Sequence, residues 1–331
     1  MLKLLWRNLS ILGLITTLVV LQSSIVLAAD NSGRYGAEFM AGGGGARSLG
    51  MGGAYSAQAG DPFVLFWNPA GLHNTQRYTA GFQHSERFDG VIDYDVAVAA
   101  MPYGDNSVRS LGLIRLGVNG IPFTRLENPA QGPSQSNRII VDKSVNSAEY
   151  AFFAGHTSVF RERFYWGIAP KLLFKHIGSN QAYGLGVDVG GHTRLFDPVP
   201  IDVGLAFSDL LGTPLLWDTG RKEVISPSAR LGISVSVAIP PLDAVINPVA
   251  DVTYRFENIG DDDAYTLNYG VEYLVKNVVG LRVGMNDKDI TYGGGIVLNP
   301  LSIDYAYIGH DQLGATHRVS LTVRWGEITG E

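Results

Sequence analysis

The run Phe164-Tyr165-Trp166-Gly167-Ile168-Ala169-Pro170-Lys171-Leu172-Leu173-Phe174-Lys175 decides the fold. Phe164, Trp166, Ile168, Leu172 and Phe174 share one parity, while Tyr165, Gly167, Ala169, Lys171 and Lys175 share the other. Successive side chains of a strand point to opposite faces, so a period of two reads as a strand with one apolar face. Leu173 alone breaks the pattern. The same separation sets Leu231, Ile233, Val235 and Val237 against Arg230, Gly232, Ser234 and Ser236. It also sets Val319, Leu321, Val323 and Trp325 against Arg318, Ser320, Thr322 and Arg324.

Outward from this run, residues 77–325 break into about fourteen alternating segments separated by Gly, Pro, Asn and Asp. They fall near 77–84, 93–101, 110–118, 147–156, 164–176, 181–193, 200–208, 228–239, 248–257, 266–275, 279–286, 289–298, 301–308 and 316–325. Most have the roughly 9–11 residues that cross a bilayer at a tilt. An even count brings both ends of a bacterial barrel to the same side. The longest gaps, 119–146 and 209–227, fall at one rim, as expected where short turns lie on the periplasmic side and long loops outside. Trp166, Tyr254, Tyr273, Tyr305, Tyr307 and Trp325 sit near strand ends on the apolar parity, suited to the headgroup level. These features favour an all-β transmembrane antiparallel barrel over a soluble sandwich.

Composition agrees with this reading. Only 17% of the 331 residues are charged, where about 25% is usual, and Gly numbers 41. Disorder, coiled coil and collagen are excluded, and the net charge of −6 argues against a nucleic-acid partner. With no Cys, disulfides and thiolate metal sites are impossible. Residues 1–28 carry Lys3 and Arg7, then an apolar run from Leu9 to Leu21, then Val26-Leu27-Ala28, the pattern of a cleaved signal peptide. Its removal takes the net charge to −8 by subtracting those two cations.

The polar parity carries Asp95, Arg115, Lys171, Lys175, Asp188, Asp202, Arg230, Asp251, Arg255, Glu272, Arg282, Asp304, Arg318 and Arg324. Lys or Arg facing lipid near the midplane costs about 2–4 kcal/mol, so these residues are expected to line the lumen, chiefly as a salt-bridge network. Residues 29–76 lack alternation and hold Gly42-Gly43-Gly44-Gly45, so they are expected to fold inside the barrel as a hatch or plug. Gly45 and Gly50 have P-loop spacing, but Met51 and Gly52 follow where Lys and Ser/Thr are needed.

The loop 209–227 holds Leu210, Leu211, Pro214, Leu215, Leu216 and Trp217, an apolar cluster that needs cover. With Phe63, Phe66 and Trp67 it could line an apolar path to a ligand, meet a partner, or simply fold over the barrel mouth. The polar loop 119–146 reads as a contact surface or flap. No catalytic or metal site is assigned and no cofactor is expected. Ser320, His317 and Asp304 sketch a hydrolase cluster, but alternation turns Ser320 into the lumen, away from lipid. Asp261-Asp262-Asp263 lacks the Gly and later Glu of a calcium loop.

Gly45-Ala46-Arg47-Ser48-Leu49-Gly50-Met51-Gly52-Gly53-Ala54-Tyr55, followed by Trp67-Asn68-Pro69-Ala70-Gly71-Leu72, resembles the N-terminal signature of the PorV/PorQ family, grouped with FadL-type hydrophobic transporters. Leu301-Ser302-Ile303-Asp304-Tyr305-Ala306-Tyr307 and Gly314-Ala315-Thr316-His317-Arg318-Val319-Ser320-Leu321 are similar to that family's closing hairpin. The resemblance implies a fourteen-stranded outer-membrane barrel with the Asn68-Pro69-Ala70 motif in its hatch. PorV-type members imply an accessory of type IX-like secretion, with a secretion channel and cargo proteins as partners. FadL-type members imply uptake of long-chain fatty acids or other hydrophobic compounds, which leave through the wall. The chain departs from the pattern in placing Gly326 to Glu331 after Trp325. The secretion role is narrowly preferred here: a salt-bridged lumen closed by the hatch would support it, and a continuous apolar channel would support uptake.

Overall fold

The computed structural model describes residues 38–196, 200–256, 265–310 and 314–326. The signal-peptide segment, the acidic run at 261–263 and residues 327–331 lie outside them. The alternating runs become β1 (Tyr78–Arg87), β2 (Ile92–Pro102), β3 (Ser107–Leu126), β4 (Ile139–Arg161), β5 (Phe164–Ile177) and β6 (Asn180–Arg194). Next come β7 (Ile201–Ser208), β8 (Thr213–Trp217), β9 (Lys222–Ile225), β10 (Ser228–Val235) and β11 (Val237–Ile239). The remainder is β12 (Ala244–Arg255), β13 (Tyr265–Val275), β14 (Val279–Asn286), β15 (Asp289–Leu298), β16 (Leu301–His310) and β17 (Gly314–Trp325).

Neighbours in the chain pair antiparallel, and β17 returns to β1 with Tyr78 opposite Trp325 and Glu86 opposite His317, which closes the sheet. β10 and β11 both pair with β12 and form one stave, while β8 and β9 continue the wall beside the upper end of β6. The result is a closed barrel of 14 staves with no free edge. Leu111, Phe152, Leu172, Leu231, Leu281 and Ile303 stand on its outer face, each at least 45% exposed. An apolar belt around a whole molecule exceeds what a water-soluble monomer tolerates, so its solvent is lipid. The chain is a multi-pass outer-membrane barrel. Tyr78 and Trp325 stack at the lower rim with ring centroids 6.1 Å apart, where amphipathic rings meet the headgroups.

Two expectations about the loops need correction. The gap read as a polar loop at 119–146 is mostly strand, because β3 and β4 continue pairing as far as Leu126 opposite Ile139. Asn119, Gly120 and Pro122 look like turn chemistry, yet they accompany a bulge between Val118 and Ile121, where Gly120 takes φ +69°. The segment 209–227 is a hairpin built into the wall. β8 pairs with the upper end of β6, Gly184 opposite Leu215 and Ala182 opposite Trp217.

The N-terminal segment contains three 3-10 turns, Glu38–Gly42, Pro62–Phe66 and Pro69–Asn74, and a short helix α1 (Ala46–Gly50). Asp61-Pro62 and Asn68-Pro69 start their turns alike. The side-chain oxygen accepts from the amide two residues on, at 2.9 Å for Phe63 and 3.0 Å for Ala70, and Pro fixes the first turn position. Contacts on every side place the segment among the inward faces of the staves. Gly43 O accepts from Tyr94 on β2, Thr157 on β4 donates to Pro69 O, and Asn68 donates to Gly191 O on β6. Asp251 on β12 accepts from the amides of Tyr55 and Ser56, Asn268 on β13 donates to Gly52 O, and Ala46 N donates to Ser320 on β17.

Candidate functional site in the barrel lumen

The motif residues of the N-terminal segment occupy the middle of the lumen. Arg47 reaches from α1 to Glu272, Nε to Oε1 at 2.8 Å and Nη2 to Oε2 at 2.5 Å. Arg282 joins the same carboxylate at 2.7 Å and bridges to Asp304 at 2.7 Å, so two guanidinium groups and two carboxylates share one buried network. Such fork-on-carboxylate contacts hold direction as well as charge. Tyr55 donates to Asp61 at 2.6 Å, and burial pushes its phenol well above the ordinary value.

Gly50, Gly52 and Gly71 are places where the segment's backbone comes close to other chain. A Cβ on Gly50 would meet Gly293 on β15, one on Gly52 the backbone of Met285 on β14, and one on Gly71 the carbonyl of Gln58. Gly45 and Gly53 both take positive φ. Asn68, Pro69 and Ala70 lie against Gly167 and Gly190 of β5 and β6.

The remaining charged side chains pair along the wall. Arg115 meets Asp95 at 2.8 Å, Lys175 meets Glu149 at 2.9 Å, and Arg194 meets Asp202 at 2.9 Å. Lys171, buried, bridges Asp188 at 2.7 Å and Asp209 at 2.9 Å. Arg324 donates to Ser302, and Arg318 donates to the carbonyls of Gly42 and Gly45. Arg230 forms no ion pair among the described residues; its guanidinium lies over Trp67, 4.6 Å from the ring centroid.

The aromatic residues and the wall hairpin do not combine into one apolar path. Phe63 is buried beneath Gly45 and Gly81, Leu215 packs against Gly184 and Leu173, and Leu216 is 40% exposed. Trp217 faces Lys175, with the ammonium 5.9 Å from its ring. Phe66 and Trp67 instead line a cavity of about 200 Å³ together with Ile114, Phe153, Arg230 and Asn268. A second, polar cavity of about 200 Å³ lies below, among Arg47, Gln58, Arg194 and Asp202.

The upper cavity reaches Ser208 and Asp209, where the regular β6–β7 pairing ends. The β6–β7 ladder ends at Val189 opposite Phe207, and pairing resumes only at Gly184 with β8. Between them Asp209 takes φ +52°, Asp209 N donates to Asp188 at 2.8 Å, and Leu210 N donates to Val187 O at 3.0 Å, so the two strands stay bonded across an irregular step. Asn268, Asn286, Thr253 and Phe153 line the cavity although sequence reading passes over them. Asn268 and Asn286 share the parity of Glu272 and Arg282, and that is the signal that would have found them. The hydrolase sketch fails on geometry: Ser320 accepts from Ala46 N inside, whereas His317 is on the other parity and accepts from or donates to Tyr305 at 2.8 Å outside.

No family model and no curated protein sequence matches the chain. Solved structures do. The Pseudomonas putida toluene transporter TodX aligns with a TM-score of 0.55 at 12% identity over 89% of this chain and 98% of that one. The Ralstonia pickettii toluene transporter TbuX gives 0.54 at 10% identity, covering 86% and 99%. A FadL homologue from Pseudomonas aeruginosa gives 0.56 at 11% identity, also covering 86% and 99%. The chain therefore has the fold of FadL-type outer-membrane channels, over nearly the full length of each.

Proposed function

We propose that the protein conducts small, largely apolar molecules across the outer membrane, with residues 38–76 acting as a hatch between outer and inner cavities. The observation that carries this reading is the upper cavity, floored by Phe66 and Trp67 and abutting the break in the β6–β7 ladder. Passage then needs a shift of the segment or a widening of the wall at Asp209, each held at present by ion pairs and hydrogen bonds. Structural neighbours described as toluene transporters support the same reading.

This reverses the order in which the sequence ranked the two roles. The lumen charges pair in salt bridges, as the secretion accessory would have it, and no continuous apolar channel is present among the described residues. A cavity lined by rings and polar groups together fits a ligand better than it fits a closed scaffold. The test is uptake of radiolabelled toluene and of short carboxylates by intact cells with and without the chain. Faster uptake on complementation supports the reading. Unchanged uptake, with a large channel co-purifying in stoichiometric amount, would return the secretion role.

A further inference from the structure

Two arginines of β3 share the outward parity of Leu111, and they differ in what meets them. Arg115, expected in the lumen, faces outward instead and bridges to Asp95, its outward partner on β2, at 2.8 Å. Arg109 stands near the lower start of the strand and forms no ion pair or hydrogen bond among the described residues. Its guanidinium lies on the ring of Tyr103, 3.4 Å from the centroid. Tyr103 N donates to Ser107 O at 2.8 Å across a turn in which Gly104 takes φ +64°, and this holds the ring beside the strand. Stacking covers the face of a guanidinium and leaves its N–H edge open.

Arg109 is opposite His156 on β4, and Ser158, two positions lower, is opposite Trp166 on β5. The indole lies edge-on to His156 at 5.6 Å, and its N–H has no acceptor among the described residues. Staves are about 4.8 Å apart, so β3 and β5 are roughly 10 Å apart here, the span of a phospholipid headgroup. Above the two donors Leu111, 60% exposed, is a ridge between Ala99 and Ala154, its partners on either side, so a shallow lane runs along each flank. Across the barrel the matching low row, Ile246, Tyr273 and Leu281, carries no charge. A lipid-facing cation without a carboxylate draws an anion from the lipid itself, and a headgroup with its own ammonium would bring a second cation beside it. The short turns 103–106 and 162–163 put this rim on the periplasmic side, where the leaflet is phospholipid. We infer that the patch binds one anionic glycerophospholipid, its phosphate on Arg109 and the Trp166 indole N–H and its two acyl chains astride Leu111. The site is on the outer wall and does not depend on what the lumen carries.

Native mass spectrometry of the purified full chain, in detergent with equimolar phosphatidylglycerol, phosphatidylcholine and lipid A, tests this. The first retained lipid should be phosphatidylglycerol, at least about tenfold over phosphatidylcholine, the range set by one charge-assisted contact. Arg109→Gln should bring the two to parity, and Arg109→Lys should keep part of the preference. Arg125→Gln, which removes a cation paired with Asp142 at the far end of β3, should leave the preference unchanged. Heat-modifiable migration in gels reports whether each variant is folded, and the wild-type competition decides the matter if Arg109→Gln is not. Phosphatidylcholine retained as well as phosphatidylglycerol, a preference that survives Arg109→Gln, or lipid A displacing both, overturns the assignment. Each of these outcomes leaves the uptake reading intact.

Discussion

Glu272 is the residue on which the lumen network turns, because it accepts from Arg47 of the N-terminal segment and Arg282 of the wall at once. Removing one partner of a buried ion pair costs about 3–5 kcal/mol, since the surviving charge stays desolvated. Glu272→Gln should therefore lower the urea midpoint of the refoldable barrel sharply, whereas Glu86→Gln, on an exposed strand end, should leave it unchanged. His73 carries a different signature. It stacks on Tyr165 at 3.7 Å, with His192 at 4.6 Å and Asp202 and Arg194 close by. Burial, then the neighbouring His192, lowers its pKa from 6.5 to about 4. Between these values the unfolded chain holds a proton that the folded chain does not, so stability falls as pH drops through the window and levels off below it. The loss is at most about 3 kcal/mol. His73→Phe keeps the stack and should flatten that part of the midpoint-against-pH curve; a curve identical to wild type would assign the acid sensitivity elsewhere.

At the scale of elements, β8 is the most telling case. Leu215 is buried under Gly184 and Leu173, and this contact seals the upper end of β6 where β7 has turned away. Leu215→Ala should cost about 2–5 kcal/mol, as large-to-small changes in a packed site do, and should speed cleavage of the 209–227 segment by added protease. The same site explains Leu173, the one residue of its strand that violates the alternation: it packs against Leu215 of the hairpin that continues the wall beside β6. Regular staves were legible because each buries one face and shows the other to lipid, which writes the period directly into residues such as Leu231 and Arg230. β8 and β9 were not, since a strand of five residues that contains Pro214 and ends before Asp218 is too short to display a period. The pairing of charges was illegible for another reason. Arg47 and Glu272 are 225 residues apart, and alternation tells which way a side chain points without telling which it meets.

For the whole molecule, the consequence of an occupied lumen is electrical. In the proposed reading residues 38–76, with Arg47, Tyr55 and Asn68 bonded to the wall, plug the barrel, so the intact chain should pass little ionic current in a planar bilayer. Deleting residues 43–76 would leave Glu272, Arg282, Asp251 and Arg318 facing water, and should give a steady, wide conductance. A closed deletion variant would mean that the strands alone collapse the lumen, and the segment would then be cargo of the fold instead of its stopper.

The glycines of the inner wall carry one more implication. Gly112, Gly167, Gly204, Gly270, Gly284 and Gly293 come from different staves, and at each one an added Cβ would strike the N-terminal segment. Together they form a seat assembled from the entire circumference, complete only once β17 has found β1. The residues placed in it precede every strand in the chain, and Gly42 is bonded to Arg318 across 276 positions. What is synthesised first can thus be positioned only at the end, and during assembly the segment must wait, unhoused, for the ring to shut. Closure and docking become a single late event, slow as contacts of such long sequence separation are, and the cell must shield a glycine-rich leader until that event occurs.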